Sequence, residues 1–168
     1  DLDTVEVTDL EVPEPSEELE PAEAESRAPR SIQQLVASLN VAQKVALAMR
    51  GNREARSLLL RDSNRIVAAA AIRSPRITEQ EIVAAAKSRS VSDEVVRIIA
   101  NSKEMTRSYG VKVALVNNPK TPLPTAMRFL SLLRQADLKA VAKSKNVSAA
   151  VANQAKRLLS TKAGGTPR

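Results

Sequence analysis

The chain has no cysteine, no histidine and no tryptophan, and among its 168 residues it has one tyrosine, one phenylalanine and four glycines. Each absence removes a class of chemistry. Without cysteine there is no disulfide, thiolate nucleophile or thiolate-ligated metal. Without histidine there is no imidazole base, no Ser-His-Asp triad and no His-bound zinc or haem. The glycines are Gly51, Gly110, Gly164 and Gly165, and no two of them frame a phosphate-cradling loop. No run of apolar residues approaches the length of a membrane span, and the N-terminus is acidic where a secretory signal would be basic. A first residue of Asp in place of Met is expected of a processed or excised chain. An activated serine would need a buried lysine here. A non-enzyme is expected, with no cofactor, no metal and no small-molecule substrate.

What is present is charge, and it is unevenly spread. Residues 1–26 hold eleven acids and no base, whereas residues 27–168 hold eight acids and all 26 bases. The net charge of +7 therefore hides a segment of −11 beside one of +18. Such a split points to a polyanionic partner or an interaction tail. The acidic segment carries Pro13, Pro15, Pro21 and Pro29 and no aromatic residue. It is too polar to offset its ordering entropy, so residues 1–30 are expected as a disordered, Pro-rich tail. It serves either as a solvating linker or as an internal, autoinhibitory competitor for the basic domain. Its aliphatics (Val5, Val7, Leu10, Val12, Leu19) offer a docking motif as a third option. Residues 161–168 are expected as a disordered C-terminal end.

Between 31 and 160 the apolar spacing is helical. Ile32, Leu35, Val36 and Leu39 form one stripe, and Val95, Ile98 and Ile99 another. Breaks recur at Gly51-Asn52, Asp62-Ser63-Asn64, Ser74-Pro75, Ser90-Val91-Ser92, Asn117-Asn118-Pro119 and Asn146-Val147-Ser148. Thr78 with Glu81 fits a capping box, and Ser92 a simple cap. Glu54, Glu79, Glu81, Asp93 and Glu94 read as first-turn acids that answer the helix dipole, which leaves few carboxylates for catalysis.

An internal repeat organises these helices. Ala86-Lys87-Ser88-Arg89-Ser90-Val91-Ser92 recurs as Ala142-Lys143-Ser144-Lys145-Asn146-Val147-Ser148, an offset of 56. Three helix ends also align: Lys44 to Arg53, Ile66 to Arg76, and Lys112 to Lys120. Val45 to Val67 is 22 residues and Val67 to Val113 is 46. The fold class expected is all-α, with short antiparallel helices stacked as an α-solenoid.

On these blocks the chain resembles bacterial HEAT-like and leucine-rich-repeat-variant helical proteins. The blocks are Arg61 to Asn64, Ser92 to Ala100, Val111 to Pro122 and Asp137 to Val147. The resemblance spans about residues 31–160. It implies a HEAT-like solenoid, a binding surface and no reaction. HEAT-like DNA glycosylases use an acid and aromatics in a pocket, and Tyr109 and Phe129 alone do not match that site.

The candidate site is a ladder of bases. Arg53, Arg76 and Lys120 each follow an aligned helix end and are expected along one edge of a regular stack. Lys87 and Arg89 match Lys143 and Lys145 at the ends of a second set of helices. Arg61, Arg65, Arg73, Arg107, Arg128, Arg134, Lys139, Lys156 and Arg157 add charge. Part of this charge answers helix C-termini and covers apolar surface with side-chain stems. An excess of eighteen exceeds that need and repels itself. The expected partner is nucleic acid, as duplex DNA or structured RNA read through its phosphates, because aromatics for base stacking are lacking. The alternative is a protein–protein scaffold for an acidic or extended segment. Asn64, Asn117 and Asn118 would contact the backbone of that segment, or serve turn and cap chemistry. No integral membrane contact is expected, and the location expected is cytoplasmic.

Overall fold

The computed structural model describes residues 31–164. The acidic segment expected as a tail, and the last four residues, lie outside that range. The described residues form ten α-helices and no strand. In order these are α1 (Ile32–Ser38), α2 (Val41–Arg50), α3 (Arg53–Leu59), α4 (Arg65–Ile72), α5 (Glu79–Lys87), α6 (Asp93–Asn101), α7 (Tyr109–Asn117), α8 (Leu123–Leu130), α9 (Gln135–Lys143) and α10 (Ala149–Ala163). One 3₁₀ turn, Met105–Arg107, lies between α6 and α7. Helix α10 runs three residues past the boundary expected at 160.

Helices this short are marginal by propensity alone, so their ends matter. Ser31, Asn40, Asn52, Asn64, Thr78, Ser92, Ser108 and Ser148 each accept a first-turn N–H through the side chain. Ser31 with Gln34, Asn40 with Gln43 and Thr78 with Glu81 complete capping boxes. Helix α8 instead starts with proline at its first turn. All five acids expected in first turns are found there, and Asp137 in α9 joins them.

The scarcity of glycine has its counterpart at the C-termini. The described backbone has no positive φ. Ser88, Ser102, Asn118 and Ser144 instead leave their helices in extended conformations open to any L-residue. A side-chain oxygen then closes the turn by accepting the N–H two residues on. Asp62 does so from Asn64 at 2.8 Å, Ser88 from Ser90 at 3.2 Å, Asn118 from Lys120 at 3.0 Å and Ser144 from Asn146 at 3.1 Å. The repeat of 86–92 in 142–148 is thus a repeat of turn geometry. Ser88 and Ser144 both have ψ 134°.

The helices pack as two rows. Odd-numbered helices pack on one another (α1 on α3, α5 on α7, α7 on α9), and so do even-numbered ones (α2 on α4, α4 on α6, α8 on α10). Sequence neighbours α2/α3, α3/α4, α5/α6, α7/α8 and α9/α10 join the rows. The 3₁₀ turn packs on α6 and α7 and interrupts the even row there. Between the rows lies an aliphatic core that includes Leu59, Ile72, Ile99, Leu115, Leu130 and Leu138, with Phe129 as its one aromatic residue. Buried alanines (Ala48, Ala68, Ala71, Ala86, Ala155) let the helices approach closely. Side-chain hydrogen bonds between elements follow the same local order. Among the described residues the longest, from Asn118 to the Ala86 carbonyl, spans 32 positions.

Candidate nucleic-acid interface

The turns between helices fall on two edges. Odd-to-even turns are tied to one another. Asn118, buried at the end of α7, donates Nδ2 to the carbonyls of Ala86 (2.8 Å) and Ser88 (3.3 Å) at the end of α5. Lys120 donates Nζ to the carbonyls of Arg89 (2.8 Å) and Val91 (2.6 Å). A hollow of about 220 Å³ lined by Asn118, Pro119, Thr121, Val147 and Ser148 joins the α7–α8 turn to the α9–α10 turn. Even-to-odd turns meet on the other edge. Arg76 donates Nη1 to the Arg50 carbonyl (3.0 Å), Ser108 donates to Glu79 (2.6 Å), and the Arg134 N–H donates to the Tyr109 hydroxyl (2.8 Å).

This arrangement divides the base ladder. Lys87, Arg89, Lys120, Lys143 and Lys145 lie along the odd-to-even edge, and all but half-buried Lys120 are exposed. Arg53 and Arg76 lie at the even-to-odd edge. The expected grouping of Arg53 and Arg76 with Lys120 fails because α2 and α4 belong to the even row and α7 to the odd row. The 46-residue step from Val67 to Val113 crosses two helices and a 3₁₀ turn. It looks like two repeats of 22 but covers three helix-to-helix advances. The three asparagines serve the fold. Asn64 caps α4, Asn117 donates to the Val113 carbonyl (2.9 Å) and Asn118 staples two turns.

The described residues carry 23 bases and 8 acids, a formal excess of fifteen. Three ion pairs occur among them: Lys44–Asp62 at 2.7 Å, Arg56–Glu81 at 2.8 Å and Arg65–Glu94 at 3.8 Å. Among the described residues, twenty of the 23 bases therefore have no carboxylate in reach. Burial pushes the Asp62 carboxyl up, but the Lys44 ammonium and the Asn64 N–H outweigh it and hold it below the usual range. Burial likewise opposes ionisation of Glu81, and Arg56 with Thr78 overcomes it, so its affinity for a proton is also lowered.

Two clusters gave no sequence signal. Arg56 is buried and forks onto Glu81 through Nε (2.8 Å) and Nη2 (3.0 Å), while Nη1 reaches the Gly51 carbonyl (2.7 Å). Tyr109 donates to Asp137, and the Arg134 guanidinium lies 4.4 Å from its ring centroid. Burial raises the Tyr109 phenol pKa, and Asp137 raises it further.

Among the described residues the basic excess and the apolar exposure lie toward opposite ends. Residues 31–104 hold twelve bases and seven acids, whereas residues 105–164 hold eleven bases and one acid. Of the six large aliphatics left exposed, four (Leu35, Val41, Met49, Ile66) belong to α1, α2 and α4. An open groove of about 1000 Å³ between α4 and α6 carries Arg65, Arg73 and Arg97, but Asp93 and Glu94 share its walls. No group of acids among the described residues could hold a metal ion, and no described helix is long and apolar enough to cross a membrane.

The chain matches no family model, no curated protein and no solved structure.

Proposed function

We propose that the chain is a non-catalytic binding module. In this reading the two rows are a HEAT-like α-solenoid, and the odd-to-even edge meets the phosphate backbone of duplex DNA or structured RNA. The supporting observation is the row of turns that carries Lys87, Arg89, Lys120, Lys143 and Lys145, with no acid in any of the three turns. The exposed lysines among these, Lys87, Lys143 and Lys145, act as mobile point charges, while Lys120 is held by the Arg89 and Val91 carbonyls. Such charges suit a backbone read by spacing and not by sequence. The eleven carboxylates of residues 1–26 supply competing charge on the same chain, and a cytoplasmic setting suits such a partner.

Fluorescence anisotropy with duplex DNA and duplex RNA across a salt series tests the reading. Binding should weaken steeply with salt, and a chain lacking residues 1–26 should bind more tightly. Absence of duplex binding at 50 mM salt sinks the reading. A second reading, a scaffold for an acidic or extended protein segment, is favoured by one observation, the exposed aliphatics of α1, α2 and α4. A pull-down that depends on Leu35 and Ile66, with no duplex binding, would establish it.

A further inference from the structure

We infer that the polyanion is seated chiefly on the α9–α10 hairpin, residues 135–163, with the N-terminal helices left free of it. The inference rests on the phosphate-reading proposal and adds where the phosphates sit.

Asp137 is the last acid in the chain, and it is occupied by the Tyr109 hydroxyl. Beyond it the hairpin carries six bases. Lys162 is clasped to the Leu133 carbonyl at 3.2 Å. The other five, Lys139, Lys143, Lys145, Lys156 and Arg157, are exposed and have no hydrogen-bond or ion-pair partner among the described residues. Lys139 and Lys143 stand about 6 Å apart along α9 on its exposed side, one turn from each other, and Lys145 continues the line into the turn.

The α5–α6 hairpin supplies the internal control. It shares the turn sequence, the serine turn closure and the serine cap of the next helix. Yet residues 79–101 balance Lys87, Arg89 and Arg97 with Glu79, Glu81, Asp93 and Glu94. The same scaffold therefore stands without a basic excess. The five unpaired cations of α9–α10 serve no folding need that the other hairpin lacks, and they repel one another.

The surface also discriminates between kinds of partner. No bulky apolar side chain is exposed on α9 or α10. The exposed positions beside the cations are small or polar, among them Ala136, Ala140, Asn153 and Ser160. A protein partner draws its affinity from aromatic or aliphatic anchors in desolvated pockets, and none is offered here. A phosphate backbone needs only the charges.

The test compares two variants of the full chain with equal charge loss. One carries K139Q, K143Q, K145Q, K156Q and R157Q; the other carries R53Q, R61Q, R65Q, R73Q and R97Q. All ten sites are exposed, and far-UV circular dichroism verifies the helices. Anisotropy is read with DNA duplex, RNA duplex and poly-glutamate across 50–200 mM salt. The expected result is a log–log salt slope shallower by about 2.7 for the hairpin variant, at about 0.9 per phosphate contact for the line of Lys139, Lys143 and Lys145, and little change for the other. The two duplexes decide between DNA and RNA as the source of phosphate. Equal or greater loss in the N-terminal variant overturns the placement while the phosphate reading stands. Poly-glutamate binding as tight as duplex overturns it in favour of an acidic protein. No duplex binding by the unmodified chain sinks the reading beneath it. Lysine acetylation footprinting of the unmodified chain gives an independent readout. Bound duplex should shield Lys139, Lys143 and Lys145 and leave Lys103 reactive, and the reverse pattern overturns the placement.

Discussion

Removing Arg56 while keeping Glu81 should be among the most damaging single changes outside the aliphatic core. Both side chains are about 95% buried, and the pair joins α3 to α5 while Nη1 holds the end of α2. In R56M the Glu81 carboxylate loses two charge-assisted bonds and keeps only its Thr78 partners. An uncompensated buried charge costs about 3–5 kcal/mol. Adding E81Q should restore most of that loss. Glutamine still completes a capping box, as Gln34 and Gln43 do in α1 and α2. The sign of the pH dependence follows from the lowered Glu81 pKa. The contribution is present above the unfolded value near 4.5 and is lost as pH falls through the lower folded value. The R56M penalty should therefore shrink in acid, where the stranded carboxylate can protonate. Urea unfolding followed by circular dichroism at pH 7 and pH 4 measures all three. A loss below about 1 kcal/mol for R56M, or a double variant as unstable as the sum of both singles, would refute the argument from stranded charge.

Two further changes probe the turns. Y109F removes the donor to Asp137 and the acceptor for the Arg134 N–H, and should cost about 1–2 kcal/mol in the same urea titration. In the unmodified chain the raised Tyr109 pKa gives stability that is complete below pH 10 and lost as pH rises through the folded value; this alkaline slope should vanish in Y109F. N118A should cost about 2–3 kcal/mol, because it strands the buried Ala86 carbonyl and opens the turn at Lys120. N117A, which loses only a bond within its own helix, should cost clearly less.

The local level of the fold was legible in the sequence, and the level above it was not. Thr78, Ser92 and the first-turn acids announce their helix starts because a cap is chemistry between residues two or three apart. The turn at 86–92 and its copy at 142–148 are readable for the same reason. The row to which each helix belongs depends on how many helices intervene. The 3₁₀ turn at Met105–Arg107 makes three advances look like two repeats, so spacing alone puts the candidate ladder on one edge where the structure has two. Asn118 shows the limit in one residue. Its closure of the turn at Lys120 follows from spacing, while its reach to Ala86 is set by packing of α5 on α7. The unpaired cations of α9 and α10 were visible as composition but not as a surface. Their weight follows from the α5–α6 hairpin, which holds the same turn geometry with its charges balanced.

The short reach of the side-chain stitches, none longer than 32 positions among the described residues, bears on how the chain acquires its shape. The entropic cost of closing a loop grows with its length, and every closure here is a small one. Among the described residues the helices that pack together are neighbours or one helix apart in the chain, a local order that favours fast folding. If the rows are the α-solenoid proposed above, structure can nucleate at any adjacent helices and spread in both directions. By the same logic α1, which packs chiefly on α3 among the described helices, should exchange its amide protons sooner than α4 to α7.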